Sequence, residues 1–487
     1  VVPVLIRNAE VWGHGLTDVQ IEDGRIASIT SSRARPGTAG GRALARVDEA
    51  SGPGSSPGRR EIDAHGCALL PGLHDHHIHL AALAAKRASA WCGPPAVTTP
   101  AELAEVLARP GEGWIRGIGY HDSIMGLPTA RELDALVRDR PLRLQHRSGR
   151  MWLLNSLALD TLLARAPAPP GLEMEAGAYT GRLFDEDDWL RTTLAASPPS
   201  FAEIAGELAR FGVTGITEMS PRNDARIAAH FTAEMASGSL PQRVMLAGAP
   251  SLADIAPGPW TLGPAKLHLH ESALPDFAAT SAFIAAAHAR GRAVAVHCVS
   301  EVELVFALAA FEDAGAHHGD RIEHASVASD ELVQRIAQLG LQVVAQPHFI
   351  TERGDDYLRD VEPRHHRELY RLRAFLDAGV TLAAGSDAPF GRPDPWEAMA
   401  AAVSRRTPSG VTIEPSEALT PEEALALYLA DPQDLTRQRA IVPGAPADLC
   451  LLDRPWAEAR EILSAECVAA TWISGRLVHD AIGQAPF

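Results

Sequence analysis

From Phe201 onward, short apolar runs alternate with longer amphipathic stretches. Strand-like runs occupy 212–218, 243–247, 265–270, 293–297, 321–324, 341–346 and 380–387. Between several of them lie Ala/Leu/Glu/Arg-rich segments with helical spacing, at 201–211, 276–290, 301–315 and 329–339. Alternation of strand and helix is the pattern of parallel βαβ units. An eighth strand-like run comes earlier, in Leu69-Leu-Pro-Gly-Leu-His-Asp-His-His-Ile-His-Leu80. Eight parallel strands with crossover helices predict an α/β fold, a (β/α)8 barrel of the TIM type.

The flanks read differently. Residues 1–30 form short strands, with Asp23-Gly24 as a hairpin turn signal. From 31 to 60 the chain is rich in Gly, Pro, Ser and Arg without a period, which predicts a loop. The segments 444–453 and 467–478 return to short strands, so both ends are expected to build one small β-domain from 1–66 and 440–487. The barrel is then 67–439, with the mixed stretch 90–200 as a subdomain within it.

Composition narrows the function classes. The 487 residues are 46% hydrophobic and 22% charged, ordinary for a globular chain, with a formal net charge of −17. That charge disfavours nucleic acid and anionic membranes as partners. No apolar run has the length of a membrane span and the first residues lack a signal pattern, so a cytoplasmic protein is expected. The five cysteines are scattered and odd in number, which favours buried free thiols. All 44 basic residues are arginine except Lys86 and Lys266. Lys86 lies in Ala-rich helical sequence and reads as solvated, whereas Lys266 sits on a strand and raises the question of what its amine does.

The chemistry concentrates at strand ends. Residues two apart on a strand share a face, so Asp75, His77 and His79 face one way and His74 and His76 the other. Two imidazoles so placed are half of a zinc-type site. Active sites of these barrels lie at the C-terminal ends of the strands. There the chain places His297, His324 and Asp387, and its fourth strand carries Lys266, His268 and His270. Any one histidine alone is more often a core or loop residue. Four of them with an aspartate at successive strand ends point instead to a divalent metal, zinc above all.

These motifs carry a resemblance. Pro71-Gly72-x-x-Asp75-x-His77-x-His79, Arg321-Ile-Glu-His324, Gln346-Pro-His-Phe and Gly385-Ser-Asp387-Ala-Pro are similar to the amidohydrolase superfamily. With Asn155-Ser-x-Ala-Leu159, Thr180-Gly181, Ala402-Val-Ser-Arg405 and Gly444-x-x-Ala447-Asp448-Leu, the chain resembles its amidohydrolase-3 branch, which includes N-substituted formamide deformylases. The resemblance implies a β-sandwich made by both termini, an insertion after strand one and a site for one or two metals. His77, His79 and Asp387 would hold the more buried metal and His297 and His324 the second. Lys266 would be carboxylated by CO2 so that its carbamate bridges them. Asp75 becomes a supporting partner, and His74 and His76 packing or hydrogen-bonding residues.

The implied reaction is hydrolysis of an amide, formamide or cyclic amide C–N bond of a small molecule by metal-activated water. Asp387 would be the general base and acid, and His324 its catalytic companion. Two positions depart from the branch: His270-Glu271 stands where Asp-Gly is frequent, and Arg150 where a histidine is frequent. Arg150 and His270 are therefore candidate substrate contacts, with His121 and Glu218 as weaker ones. Family habit implies a homodimer. Three rival readings stand beside it, two of them enzymes of the same superfamily and one a non-catalytic protein. A mononuclear deaminase would use a glutamate soon after His297, where Glu301 stands four residues on; an esterase or lactonase would use the same water; a non-catalytic scaffold would have lost ligands that are all present here.

Overall fold

The computed structural model of the chain describes residues 2–31, 45–47, 60–108, 110–194 and 198–482. Most of the loop expected over 31–60 lies outside the described residues. The chain divides into two compact units, one of residues 1–80 and 200–487, the other of 81–199.

In the first unit eight parallel strands follow one another in sheet order as in sequence. They are β1 (Leu73–Ile78), β2 (Val213–Glu218), β3 (Arg243–Gly248) and β4 (Thr261–His268). Then come β5 (Val294–Cys298), β6 (Arg321–His324), β7 (Gln342–Ala345) and β8 (Leu382–Ala384). Every residue of β1, β2, β6, β7 and β8 is buried, as strands covered on both faces must be. The segment after β8 returns to β1: Asp387 N–H donates to His77 O at 2.6 Å and His79 N–H to Ala388 O at 2.8 Å. Gly385 permits this approach, since a Cβ there would fall 2.7 Å from His77 Cα. The sequence periods thus fold as expected into an eight-stranded α/β barrel.

The crossover helices are α1 (Ala202–Arg210), α2 (Ala225–Ser237), α3 (Phe277–Ala289), α4 (Glu301–Ala314) and α5 (Asp330–Gln338). Their starts are set by local chemistry. Asp224, Asp276, Ser300 and Ser329 cap α2 to α5 by accepting backbone N–H bonds, and Ser300 with Glu303 completes a capping box.

Strands from both termini join one nine-stranded sheet. Its hairpin pairs Val4–Val11 with Gly15–Glu22 and that strand with Arg25–Ser31. The second turn falls at Asp23-Gly24, both at positive φ (47° and 76°), as a two-residue hairpin loop needs. Leu449–Leu452 pairs with Ala68–Pro71, which leads straight into β1. Ile6, Val19, Ile21, Ile62 and Trp472 are fully buried in its core. The five cysteines are all buried and free.

The second unit has a six-stranded sheet of its own, in the order 172–175, 178–184, 151–154, 142–146, 115–120, 90–91. It is packed by two apolar clusters around Leu144 and Leu162.

Candidate metal centre

The strand ends bring three side chains onto one point. The Nε2 atoms of His77 and His79 lie 3.4 Å apart, and Asp387 Oδ1 lies 3.4 Å and 3.1 Å from them. Among the described residues this is the group of His, Cys, Asp and Glu side chains with donor atoms close enough to share one ion. His324 stands beside it, its ring 4.9 Å from that of His77 and 4.4 Å from that of His297. His297 in turn stacks on His268 at 4.0 Å. Lys266 is 4% exposed, and its Nζ and His324 Nε2 are buried without a hydrogen-bond partner among the described residues.

The far ring nitrogens fix which tautomer each histidine holds. His77 Nδ1 meets a carboxylate oxygen of Glu323 at 2.5 Å. His324 Nδ1 meets Gln346 Oε1 at 2.6 Å. His79 Nδ1 lies 3.0 Å from Ser220 Oγ, and that hydroxyl donates to Glu218. Each of these oxygens is an acceptor for the ring, so each Nδ1 carries the proton and each Nε2 a lone pair. Two lone pairs and a carboxylate therefore gather at one point, with the His324 ring beside them, a donor set suited to a cation.

Charge states agree. Burial pushes His77 and His324 below their ordinary range, and the neighbouring Lys266 lowers both further. Burial also lowers His297, with His324 adding to it. For Asp387 burial acts upward, but the adjoining His79 and the nearby His77 and His324 outweigh it and hold the carboxyl well below the carboxylate range. Neutral imidazoles and an ionised carboxylate are the ligating forms. Burial draws Lys266 from 10.5 down to about 8, with Glu323 pulling the other way.

Two of the site residues hold unusual backbone: His324 has φ 74° and Asp387 φ 51°. Such strain persists where surrounding bonds over-determine it, and Asp387 has its own, from N–H to His77 O. The positive φ at His324 also breaks strand alternation. Arg321 and Glu323 share a face and are bonded at 2.5 Å; the turn at His324 brings its ring to the ring of His77, whose Nδ1 Glu323 holds.

Asp75 accepts the N–H groups of His77 (3.0 Å) and Ser386 (2.9 Å), tying β1 to the segment after β8, and burial raises its pKa to about 6. His74 bonds Thr217 Oγ1 at 2.9 Å; His76 is wholly buried. Glu218 is corrected: it is wholly buried rather than lining a pocket. Its oxygens accept Leu80 N–H (2.5 Å) and Ser220 N–H (3.0 Å), so the carboxylate holds Ser220, and through it His79, instead of a substrate. His270 is exposed beyond β4, its ring 4.4 Å from that of His268. In the second unit, His121 Nδ1 pairs with Ser123 Oγ at 2.6 Å. Arg150, 77% exposed, forms a two-pronged pair with Asp185 at 2.7 and 2.8 Å.

Sequence reading assigned no role to Glu323, Ser220, Gln346 or Phe390. The first and third lie inside quoted motifs, so proximity to a ligand was an available signal; Ser220 and Phe390 carried none. Phe390 is 61% exposed, yet its ring stands edge-on 5.7 Å from His79.

Fold and site together define an α/β barrel with a group of side chains at its strand ends that could hold a metal ion. A model of the amidohydrolase family matches residues 60–479. The chain belongs to the amidohydrolase family, hydrolases of carbon–nitrogen bonds. It is 28% identical over 507 aligned positions to an N-substituted formamide deformylase of Arthrobacter pascens, covering 88% of this chain and 91% of that one. Two metal-dependent hydrolases of solved structure share the fold. That from Pyrococcus horikoshii has a TM-score of 0.73 at 20% identity, covering 93% of this chain and 97% of its own. That from Pyrococcus furiosus has 0.71 at 22%, covering 93% and 99%. Among the described residues no helix is long and apolar enough to cross a membrane.

Proposed function

We propose that the chain is a divalent-metal amidohydrolase that cleaves the C–N bond of a small N-substituted amide or formamide. The observation that carries this is the convergence of the His77 and His79 Nε2 lone pairs with the Asp387 carboxylate, with the unpartnered His324 Nε2 and Lys266 Nζ alongside. His77, His79 and Asp387 would hold one metal, with His297, His324 and Lys266 available for a second; zinc suits this donor set. When bound, the metal supplies Lewis acidity, lowering the pKa of water toward ~7 and polarising a carbonyl.

Lys266 is suited to carry a carbamate. With its pKa at about 8, roughly a quarter of the amine is free at pH 7.5, against ~0.1% for an ordinary lysine. The free amine adds to the carbon of CO2 and releases a proton. A buried cation thereby becomes an anion with two oxygens able to ligate.

Asp387 does the proton work. It accepts a proton from the attacking water as the O–C bond forms at the carbonyl carbon. It then gives that proton to the amide nitrogen as the C–N bond breaks, leaving an acid and an amine. His324, its Nδ1–H held by Gln346, keeps an Nε2 lone pair toward the site and would act as a ligand of the second metal. Exposed Phe390 beside His79 offers an apolar face to the substituent on nitrogen, in keeping with the N-substituted substrate of the Arthrobacter relative.

The test is metal analysis of protein purified without chelator, together with turnover of N-formyl, N-acyl and cyclic amides. One or two divalent ions per chain and chelator-sensitive amine release are expected. Metal-loaded protein that deaminates heterocycles or cleaves only esters would replace this reading with one of its rivals.

A further inference from the structure

In the second unit the strands Ile115–Tyr120 and Leu142–His146 run parallel, with Arg116 in register beside Arg143. Paired positions on neighbouring strands point to the same face, ~5 Å apart at the backbone. Trp152 lies on the strand at the other side of Leu142–His146, and both guanidinium carbons stand 5.5 Å from its ring centre. Two like charges and one aromatic ring therefore share a face, and both arginines are half-buried.

Other arginines of this unit are met by carboxylates. Arg150 pairs with Asp185, Arg182 with Glu173 and Arg191 with Asp188. Arg116 gives its Nη1 to Ala85 O (3.1 Å) and Ser89 Oγ (2.7 Å), closing the end of the helix Leu80–Arg87. Arg143 has five N–H donors, and none meets a protein acceptor among the described residues; its Nε is buried there. Among those residues no carboxylate comes within ion-pair distance of either arginine. Asp187 favours the charge on Arg116 from farther off, while one of its oxygens accepts Trp152 Nε1–H at 2.9 Å. Burial lowers the pKa of both guanidinium groups, and Arg116 helps to bring Arg143 down to about 10. The ring of Trp152 offsets part of that cost through its face, but it accepts none of the in-plane N–H groups. Unpaired buried donors are costly, so this pair is built for an acceptor that the protein itself does not supply.

We infer that Arg116 and Arg143 form a binding site for a phosphate-type oxyanion, either free phosphate or the phosphoryl group of a small molecule. A guanidinium fork matches two oxygens of one anion. Two forks on adjacent strands require an acceptor with oxygens on both sides, which a tetrahedral anion has. A planar carboxylate would serve one fork and leave the other. Two uncompensated positive charges also match the near-dianionic state of a phosphoryl group at neutral pH. A nucleic acid backbone does not fit: it needs a run of phosphate contacts, and the chain carries a net charge of −17.

The experiment is isothermal titration of sodium phosphate into the metal-loaded full chain at constant ionic strength, for wild type, Arg143→Met and Arg143→Lys. One site per chain at roughly millimolar or tighter affinity is expected for the wild type, and a dissociation constant at least about tenfold weaker for Arg143→Met. Lysine keeps the charge without the fork, so Arg143→Lys should fall between them, and it carries the comparison if the methionine variant fails to fold. Phosphate should raise the thermal midpoint of the wild type and leave that of Arg143→Met nearly unmoved. Phosphate held at the metal centre would appear equally in all three proteins, since none alters that centre. Glycerol 3-phosphate distinguishes the two sources: tighter binding than phosphate at Arg143 assigns a phosphorylated small molecule, and weaker binding assigns the free ion. A wild type that binds no phosphate up to ~10 mM, an affinity unchanged in folded Arg143→Met, or acetate bound at Arg143 as tightly as phosphate would each overturn the inference.

Discussion

Replacing Lys266 by methionine should make the metal-free protein more stable while lowering its metal loading. The amine is 4% exposed and has no hydrogen-bond partner among the described residues. Burial lowers its pKa from 10.5 to about 8, which corresponds to roughly 3 kcal/mol held against folding when both states are protonated. The sign follows from proton counts. Below about pH 8 the amine is charged in the folded and unfolded chain alike, and the folded state bears the full burial penalty. Between about 8 and 10.5 the folded state has released its proton while the unfolded chain keeps it, so the penalty shrinks as pH rises across that window. Methionine approximates the stem and carries no charge, so the variant escapes the penalty at pH 7 and has little advantage at high pH, near 10.5. Denaturant midpoints of chelated protein in CO2-depleted buffer, measured at both ends of that range, report the difference. A variant less stable than wild type at pH 7, or an advantage independent of pH, would refute the assignment of Lys266 as a buried, unpaired amine. Bound metal, counted in parallel after reloading, should fall in the variant if the lysine serves as a ligand.

Other substitutions probe the supporting groups. Ser220→Ala removes the acceptor that orients His79; metal affinity should fall by about 10-fold or more, read by competition with a chromophoric chelator, with the fold intact by circular dichroism. Phe390→Ala should raise KM about tenfold for substrates with a large apolar N-substituent, consistent with ~1.5 kcal/mol for losing part of an aromatic contact, and leave N-methyl substrates unaffected. Because His77, His297 and His324 are all held below the ordinary histidine range, metal retention should stay flat from pH 8 to pH 6 and decline only at more acidic pH. A loss centred near pH 6.5 by equilibrium dialysis would contradict those shifts.

The barrel, and the nearness of several strand-end histidines to Asp387, were legible in residue order. Strand and helix periods are local properties of side-chain order, and the C-terminal ends of parallel strands are forced onto one rim once the sheet closes. That is why His77, His79, His297, His324 and Asp387 could be read as neighbours although up to 310 positions separate them. What each neighbour does was set by folding. Glu323 precedes His324 and by alternation belongs on the opposite face; a backbone at φ 74° brings His324 round to His77, whose Nδ1 Glu323 holds. Glu218 sits at a strand end like the ligands, yet its oxygens are taken by Leu80 and Ser220 because the chain after β1 passes directly over it. The opposite case is α3 and α4, where composition already shows helices with little polar side, but only burial shows that the outward side is left exposed. Periodicity tells which residues share a face. Backbone turns, tautomers and the reach of single side chains depend on contacts far apart in the chain, and those exist only after folding.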